Sequence, residues 1–194
     1  MTIRNRAAAL ALLTLSTLPV PAQADVVMDS LSVLWVEVEG GCGVQENAVK
    51  AEVRRILGSI SVEVDWRSGG PASVSSDGVV RVTLLSKDRT RRSHPPMGSA
   101  LTKAPASVFV LCPEIVWTLK DGGDRWDRLD LSNAVGRVVA HELVHVLAPD
   151  LQHARFGLMA PSLTARALTQ PGVSLDPATT KTLRARFAQR LASR

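Results

Sequence analysis

HELVHVLAPDLQH, residues 141–153, is the stretch on which the reading of this chain turns. On a helix, His141 and His145 lie one turn apart on the same face, so both imidazoles can reach a single metal ion. Glu142 follows the first histidine directly. It can stand beside such an ion without taking a coordination position, which is where a general base for water belongs. Two histidines do not complete a catalytic zinc site, which has three protein ligands and keeps a fourth position open.

The supply of third ligands is narrow. From Val146 to Arg194 there is no glutamate; the carboxylates there are Asp150 and Asp176, and the histidine is His153. The remaining histidine, His94, sits in a basic segment far upstream, so three of the chain's 4 histidines fall between 141 and 153. Pro149 ends the helix near Leu147, and the residues that follow are long enough to turn the chain back beneath a metal. His153 is the expected third ligand and Asp150 its competitor, because zinc accepts either donor.

HELVHVLAPDLQH followed by Gly157-Leu158-Met159-Ala160-Pro161 resembles the metzincin clan of zinc endopeptidases, bacterial matrixin-like proteins in particular. The resemblance implies Zn2+ held by His141, His145 and His153, with Glu142 as general base and Met159 in a tight turn forming the floor of the site. It implies hydrolysis of peptide bonds, with water activated at the metal. Two departures stand out. The clan places a glycine three residues after the second histidine and the third histidine three further on, where this chain has Ala148 and Leu151. The third histidine falls eight residues beyond His145, and the longer loop removes the need for a glycine at positive φ. The chain also has no tyrosine, so a tyrosine that assists the reaction in some members has no counterpart.

Working outward, residues 1–24 read as a cleavable secretory signal: Arg4 and Arg6, an apolar run from Ala7 to Leu18, then Ala22-Gln23-Ala24 before Asp25. An apolar run of about 12 residues is short of the roughly 20 needed to span a bilayer. The expected mature chain, 25–194, is one domain, exported to the periplasm or beyond, without stable membrane anchoring and monomeric. Without Arg4 and Arg6 the basic count drops from 23 to 21 against 18 acidic residues, a net charge of +3, which argues against a nucleic-acid partner. Cys42 and Cys112 are expected to pair in an oxidising compartment. The alternative is a Cys42 thiolate, within GGCGV, blocking the metal.

The fold expectation is α+β: a zincin or metzincin-like mixed, twisted sheet of about four to five strands, with an N-terminal helix, the HExxH helix and a C-terminal helix. Strands are read at 31–38, 61–66, 79–85 and 107–112, and a helix at 45–57 from Val49, Val53, Ile56 and Leu57. The HExxH helix starts at a cap, Asp130 or Ser132, and presents Val135, Val139, Leu143 and Val146 as its buried stripe. The last helix starts at Asp176-Pro177, with Leu183, Phe187 and Leu191 on one face. Residues 87–105 read as an irregular loop whose Arg89, Arg91, Arg92 and His94 are either solvated or rim a cleft that favours acidic substrates. Trp117, Trp126, Asp121 and Asp124 suggest a turn, with too few ligands to support calcium. An extended peptide substrate is expected along a sheet edge within 99–111. The alternative function is a secreted zinc-binding or partner-binding module of the same fold that cleaves nothing.

Overall fold

The computed structural model describes residues 29–37, 42–69, 78–87, 96–123 and 125–192. The leader read at 1–24 and the residues Arg89, Arg91, Arg92, His94 and Asp124 lie outside them. In chain order the elements are β1 (Asp29–Glu37), α1 (Glu46–Gly58), β2 (Val62–Ser68), β3 (Val79–Leu85), β4 (Gly98–Leu101), β5 (Ser107–Leu111), α2 (Cys112–Asp121), α3 (Arg128–Leu147), α4 (Ala165–Thr169) and α5 (Pro177–Ala192).

One sheet of five strands runs in the order β2-β1-β3-β5-β4. β1 pairs in parallel with β2 and β3, and β3 in parallel with β5; only β4 is antiparallel, to β5. The sheet is therefore mostly parallel. The interior strand β1, flanked by β2 and β3, is buried on both faces, which suits its apolar run: Val33 and Trp35 face the main core, while Leu34 and Val36 cover the opposite face with Val79. β2 alternates as its sequence suggests, Val62 and Val64 buried against exposed Glu63 and Asp65.

Two segments depart from the sequence reading. The loop expected at 87–105 contains β4, a strand too short and too glycine- and serine-rich to announce itself by periodicity. Cys112, read as the end of a strand, opens the ten-residue helix α2 instead. Pro113 fits its first turn, and Ile115 and Leu119, four apart, form its buried face. Cys112 is buried on the same side, but Val116 and Trp117 fall between these positions, so the apolar residues of α2 form a consecutive run with only a weak helical period.

α3 also starts earlier than expected. Asp127, not Asp130 or Ser132, is its cap: the Asp127 carboxylate accepts from the Leu129 and Asp130 amides at 2.7 and 2.9 Å, while Asp130 accepts from the Asp127 amide at 3.1 Å. Ser132 has a different task, accepting from the Gln45 amide at 2.8 Å and so pinning the start of α1. From Ala134 to Val144 the helix is buried on every side rather than along one stripe, and Val146 is half-buried. Even a charge goes inside. Arg137 is buried and donates to Glu52 of α1 at 2.8 Å and to the Ala167 carbonyl of α4 at 3.1 Å, while Arg55 donates twice to the same glutamate. α3 is thus clamped between α1 and α4.

α5 begins as read, Asp176 accepting from the Ala178 and Thr179 amides at 3.0 Å, with Leu183 and Phe187 buried. The side chain of Leu191 lies outside the described ones. Cys42 and Cys112 are joined as a disulfide, which rules out a free Cys42 thiolate. It ties the segment before α1 to the first residue of α2. Among the described residues no helix is long and apolar enough to cross a membrane.

Candidate metal centre

The last two turns of α3 carry His141, Glu142 and His145. Ala148 caps the helix, its amide bonded to the Val144 carbonyl at 2.9 Å, and the chain then reverses to bring His153 back over the same helix face. No residue between 146 and 153 takes a positive φ, so the longer connection turns without the glycine that a tighter one would need.

The three imidazoles converge. Nε2 of His145 lies 3.2 Å from Nε2 of His141 and 3.2 Å from Nε2 of His153, and one ligand atom from each of the three falls within 4.8 Å of the others. His141 Nδ1 donates to the Leu158 carbonyl at 2.7 Å, which leaves its Nε2 as a lone pair directed at His145. A proton on His145 Nε2 serves at most one of its two neighbours, so lone pairs face each other unless a cation sits among them. Nitrogens about 2.0–2.1 Å from a tetrahedral ion stand roughly 3.3 Å apart, close to the spacing found here. The donor set fits a metal ion.

The electrostatics agree with this. Burial holds the His141 imidazole below its usual pKa, against the opposing Leu158 hydrogen bond. Burial, followed by the charges of His141 and His153, brings His145 down to about 4. Neutral imidazoles are the form that binds metals. Glu142, 8% exposed, is pushed up to about 7 by burial.

Met159 is fully buried, within a turn that follows His153. Gly157 has φ of +80°, and the Ala160 amide closes the turn onto the Gly157 carbonyl at 3.2 Å. What the turn contributes by hydrogen bond is backbone: the Leu158 carbonyl orients His141, and the Met159 carbonyl accepts from the Ala154 amide, next to His153, at 2.8 Å. No residue type encodes a carbonyl, so the sequence gives no sign of this. Asp150, the competing ligand, points elsewhere and pairs with Arg186 of α5.

The centre opens into a cleft of about 770 Å³. One wall is β4, whose Gly98, Ser99 and Ala100 line it, in keeping with a sheet edge expected within 99–111. A Cβ on Gly98 would stand 2.7 Å from Glu142 Oε1 and 2.9 Å from Val138 Cγ1, so this strand lies directly on the glutamate. Ala160 to Leu163 form a second wall and α2 a third, through Glu114, Trp117 and Thr118. The sequence reading missed Gly98 and the α2 wall, since neither belongs to a motif.

No family model matches the chain, and no curated protein matches it. Among solved structures it is similar to archaemetzincin from Methanopyrus kandleri, with a TM-score of 0.54 at 15% identity, over 82% of this chain and 96% of that one. It is also similar to a zinc-dependent peptidase from Methanocorpusculum labreanum, with a TM-score of 0.55 at 13% identity, over 78% of this chain and 99% of that one. The fold is metzincin-like. Identity this low carries the architecture and no more, and neither neighbour singles out the matrixin-like branch. Within the metzincin-like fold, the three histidines and Glu142 face the cleft from α3 and the loop after it.

Proposed function

We propose that this protein is an exported zinc-dependent endopeptidase, with Zn2+ held by His141, His145 and His153 and Glu142 as the general base. The observation that carries the reading is the convergence of three Nε2 atoms beside a buried glutamate at the floor of an open cleft. The metzincin-like fold supports it, one neighbour being an archaemetzincin and the other a zinc-dependent peptidase. The HExxH spacing and the Gly157–Pro161 turn are what the bacterial matrixin-like branch would bring, and the signal-like start and the disulfide favour export to the periplasm or beyond.

Zinc bound there would supply Lewis acidity, polarising the scissile carbonyl and acidifying water. The rest is the work of the chain. An extended peptide pairs its backbone with the outer edge of β4, the last strand of the sheet among the described residues, without demanding particular side chains. Gly98 lets that edge approach Glu142 closely. Glu142 takes the proton from the attacking water and returns it to the leaving amine, while the cleft walls exclude bulk solvent. Met159 and the Leu158 carbonyl hold the floor and the ring of His141.

The test is metal content by mass spectrometry together with peptide hydrolysis, on the purified protein and on Glu142→Gln. The expected result is near-stoichiometric zinc in both proteins, with hydrolysis lower by about 10²–10⁴-fold in the variant. Zinc retained with no hydrolysis of any peptide by the unsubstituted protein would favour the non-catalytic zinc-binding module. No zinc in either would overturn the reading.

A further inference from the structure

The α2 wall of the cleft carries chemistry that peptide hydrolysis does not itself require. Glu114, Trp117 and Thr118 stand at i, i+3 and i+4 on α2, and all three line the cleft, as one helix face should. Glu114 is half-buried and forms no hydrogen bond or ion pair among the described residues. Trp117, three residues on and 52% exposed, lines the same cleft. The first residue of α2 is fixed to Cys42 by the disulfide, so this wall is braced near Glu114.

The charge balance of the cleft is the second observation. Although the chain carries a net charge of +5, no lysine or arginine lines the cleft among its described residues. Among the described residues that line it, the carboxylates are Glu142, on the metal-centre helix, and Glu114. An apolar or acidic substrate side chain against Glu114 would strip water from a carboxylate and give nothing back. A guanidinium or ammonium would replace that water with a charge-assisted hydrogen bond, and its stem or cation can lie on the indole.

We infer that Glu114 and Trp117 form a subsite for a cationic substrate side chain, so that the preferred peptides carry arginine or lysine at the position reaching α2. This rests on the peptidase reading and names its substrate class. It runs opposite to the acidic preference that the basic segment around Arg91 and Arg92 would suggest from sequence.

The test uses hexapeptide amides, identical except that arginine, its neutral isostere citrulline, or glutamate is placed at each position in turn. Binding is measured by calorimetry on zinc-loaded Glu142→Gln protein, with and without Glu114→Gln, after melting temperatures show both variants folded. At one position arginine should bind about tenfold more tightly than citrulline, with glutamate weakest. Glu114→Gln should shrink that advantage to less than about twofold, and Glu114→Asp should keep part of it. Equal binding of the three peptides, a preference for glutamate, or an arginine advantage that survives Glu114→Gln would each overturn the inference. The kcat/KM ratios of the unsubstituted protein separate the two levels. If the binding preference behaves as stated while no peptide is hydrolysed, the subsite stands and the peptidase reading falls.

Discussion

Asp150 and Arg186 are joined by two parallel hydrogen bonds, Nη1 donating to Oδ1 at 2.5 Å and Nη2 to Oδ2 at 2.7 Å. The pair ties α5 to the loop that delivers His153, three residues further on. A carboxylate that looked from sequence like a rival ligand therefore serves to position the loop. The Arg186 guanidinium holds the Asp150 carboxyl below its usual pKa.

The two roles separate in zinc binding. His153→Ala should weaken zinc binding by more than about a hundredfold, beyond the range seen for outer partners of a metal site. Asp150→Ala and Arg186→Ala should keep near-stoichiometric zinc and raise its Kd by only about two- to fivefold at low salt, less at high salt, because the pair is exposed and screened. Competition with a chelating dye reads all three. Loss of zinc in Asp150→Ala with retention in His153→Ala would reverse the ligand assignment.

Gly98→Ala should damage the site without unfolding the protein. The added Cβ meets Glu142 and Val138 below 3.0 Å, so either β4 withdraws from the cleft or Glu142 is displaced. Overpacking of this kind costs about 1–3 kcal/mol of stability. The expected pattern is a folded, zinc-loaded protein whose kcat is lower by at least about tenfold, since small misplacements at a reacting centre are expensive. Unchanged kcat would show that β4 does not contact Glu142 during the reaction.

The buried Glu52–Arg137 pair predicts a response to acid. Burial alone would raise the Glu52 pKa, but the hydrogen bonds and charges of Arg55 and Arg137 outweigh it and leave the carboxyl below its ordinary value. A lowered folded pKa means that this stabilisation is fully present above the unfolded value, about 4.3, and is lost as pH falls through the folded value. Glu52→Gln should be less stable at neutral pH and should lose less between pH 5 and pH 3. Arg137→Ala, leaving a buried carboxylate without one partner, should cost about 3–5 kcal/mol. Urea melts across that pH range measure both, and parallel pH curves for Glu52→Gln and the unsubstituted protein would dismiss the linkage.

The Cys42–Cys112 bridge closes a loop between residues 70 apart. In the chain-entropy account, a loop of that length stabilises by about 4 kcal/mol. The double variant Cys42→Ser/Cys112→Ser should melt at a markedly lower temperature than the oxidised protein, and reduction of the unsubstituted protein should match it. Equal melting temperatures would mean that the bridge adds nothing to the folded state.

What could be read from the sequence was whatever a residue type encodes locally. Three histidines in 141–153 and a glutamate beside the first name a metal centre, because helix periodicity puts i and i+4 on one face whatever the rest of the chain does. The strands at Val62 and Val79 and the helices of Val49 to Leu57 and of Leu183 and Phe187 were legible for the same reason: their apolar spacing matches one regular period. The tertiary structure decided what depends on distant partners. It placed His153, not Asp150, beside His141 and His145, while Arg186, 36 positions away, takes up the Asp150 carboxylate. It made a strand of Gly98–Leu101 by pairing it with β5, and it brought Glu114 and Trp117 to the lining of the same cleft. It buried Arg137 because Glu52 and a carbonyl of α4 were there to receive it. Backbone carbonyls, edge pairings and long-range ion pairs leave no periodic trace in a sequence, since their energy exists only once the chain has brought the partners together.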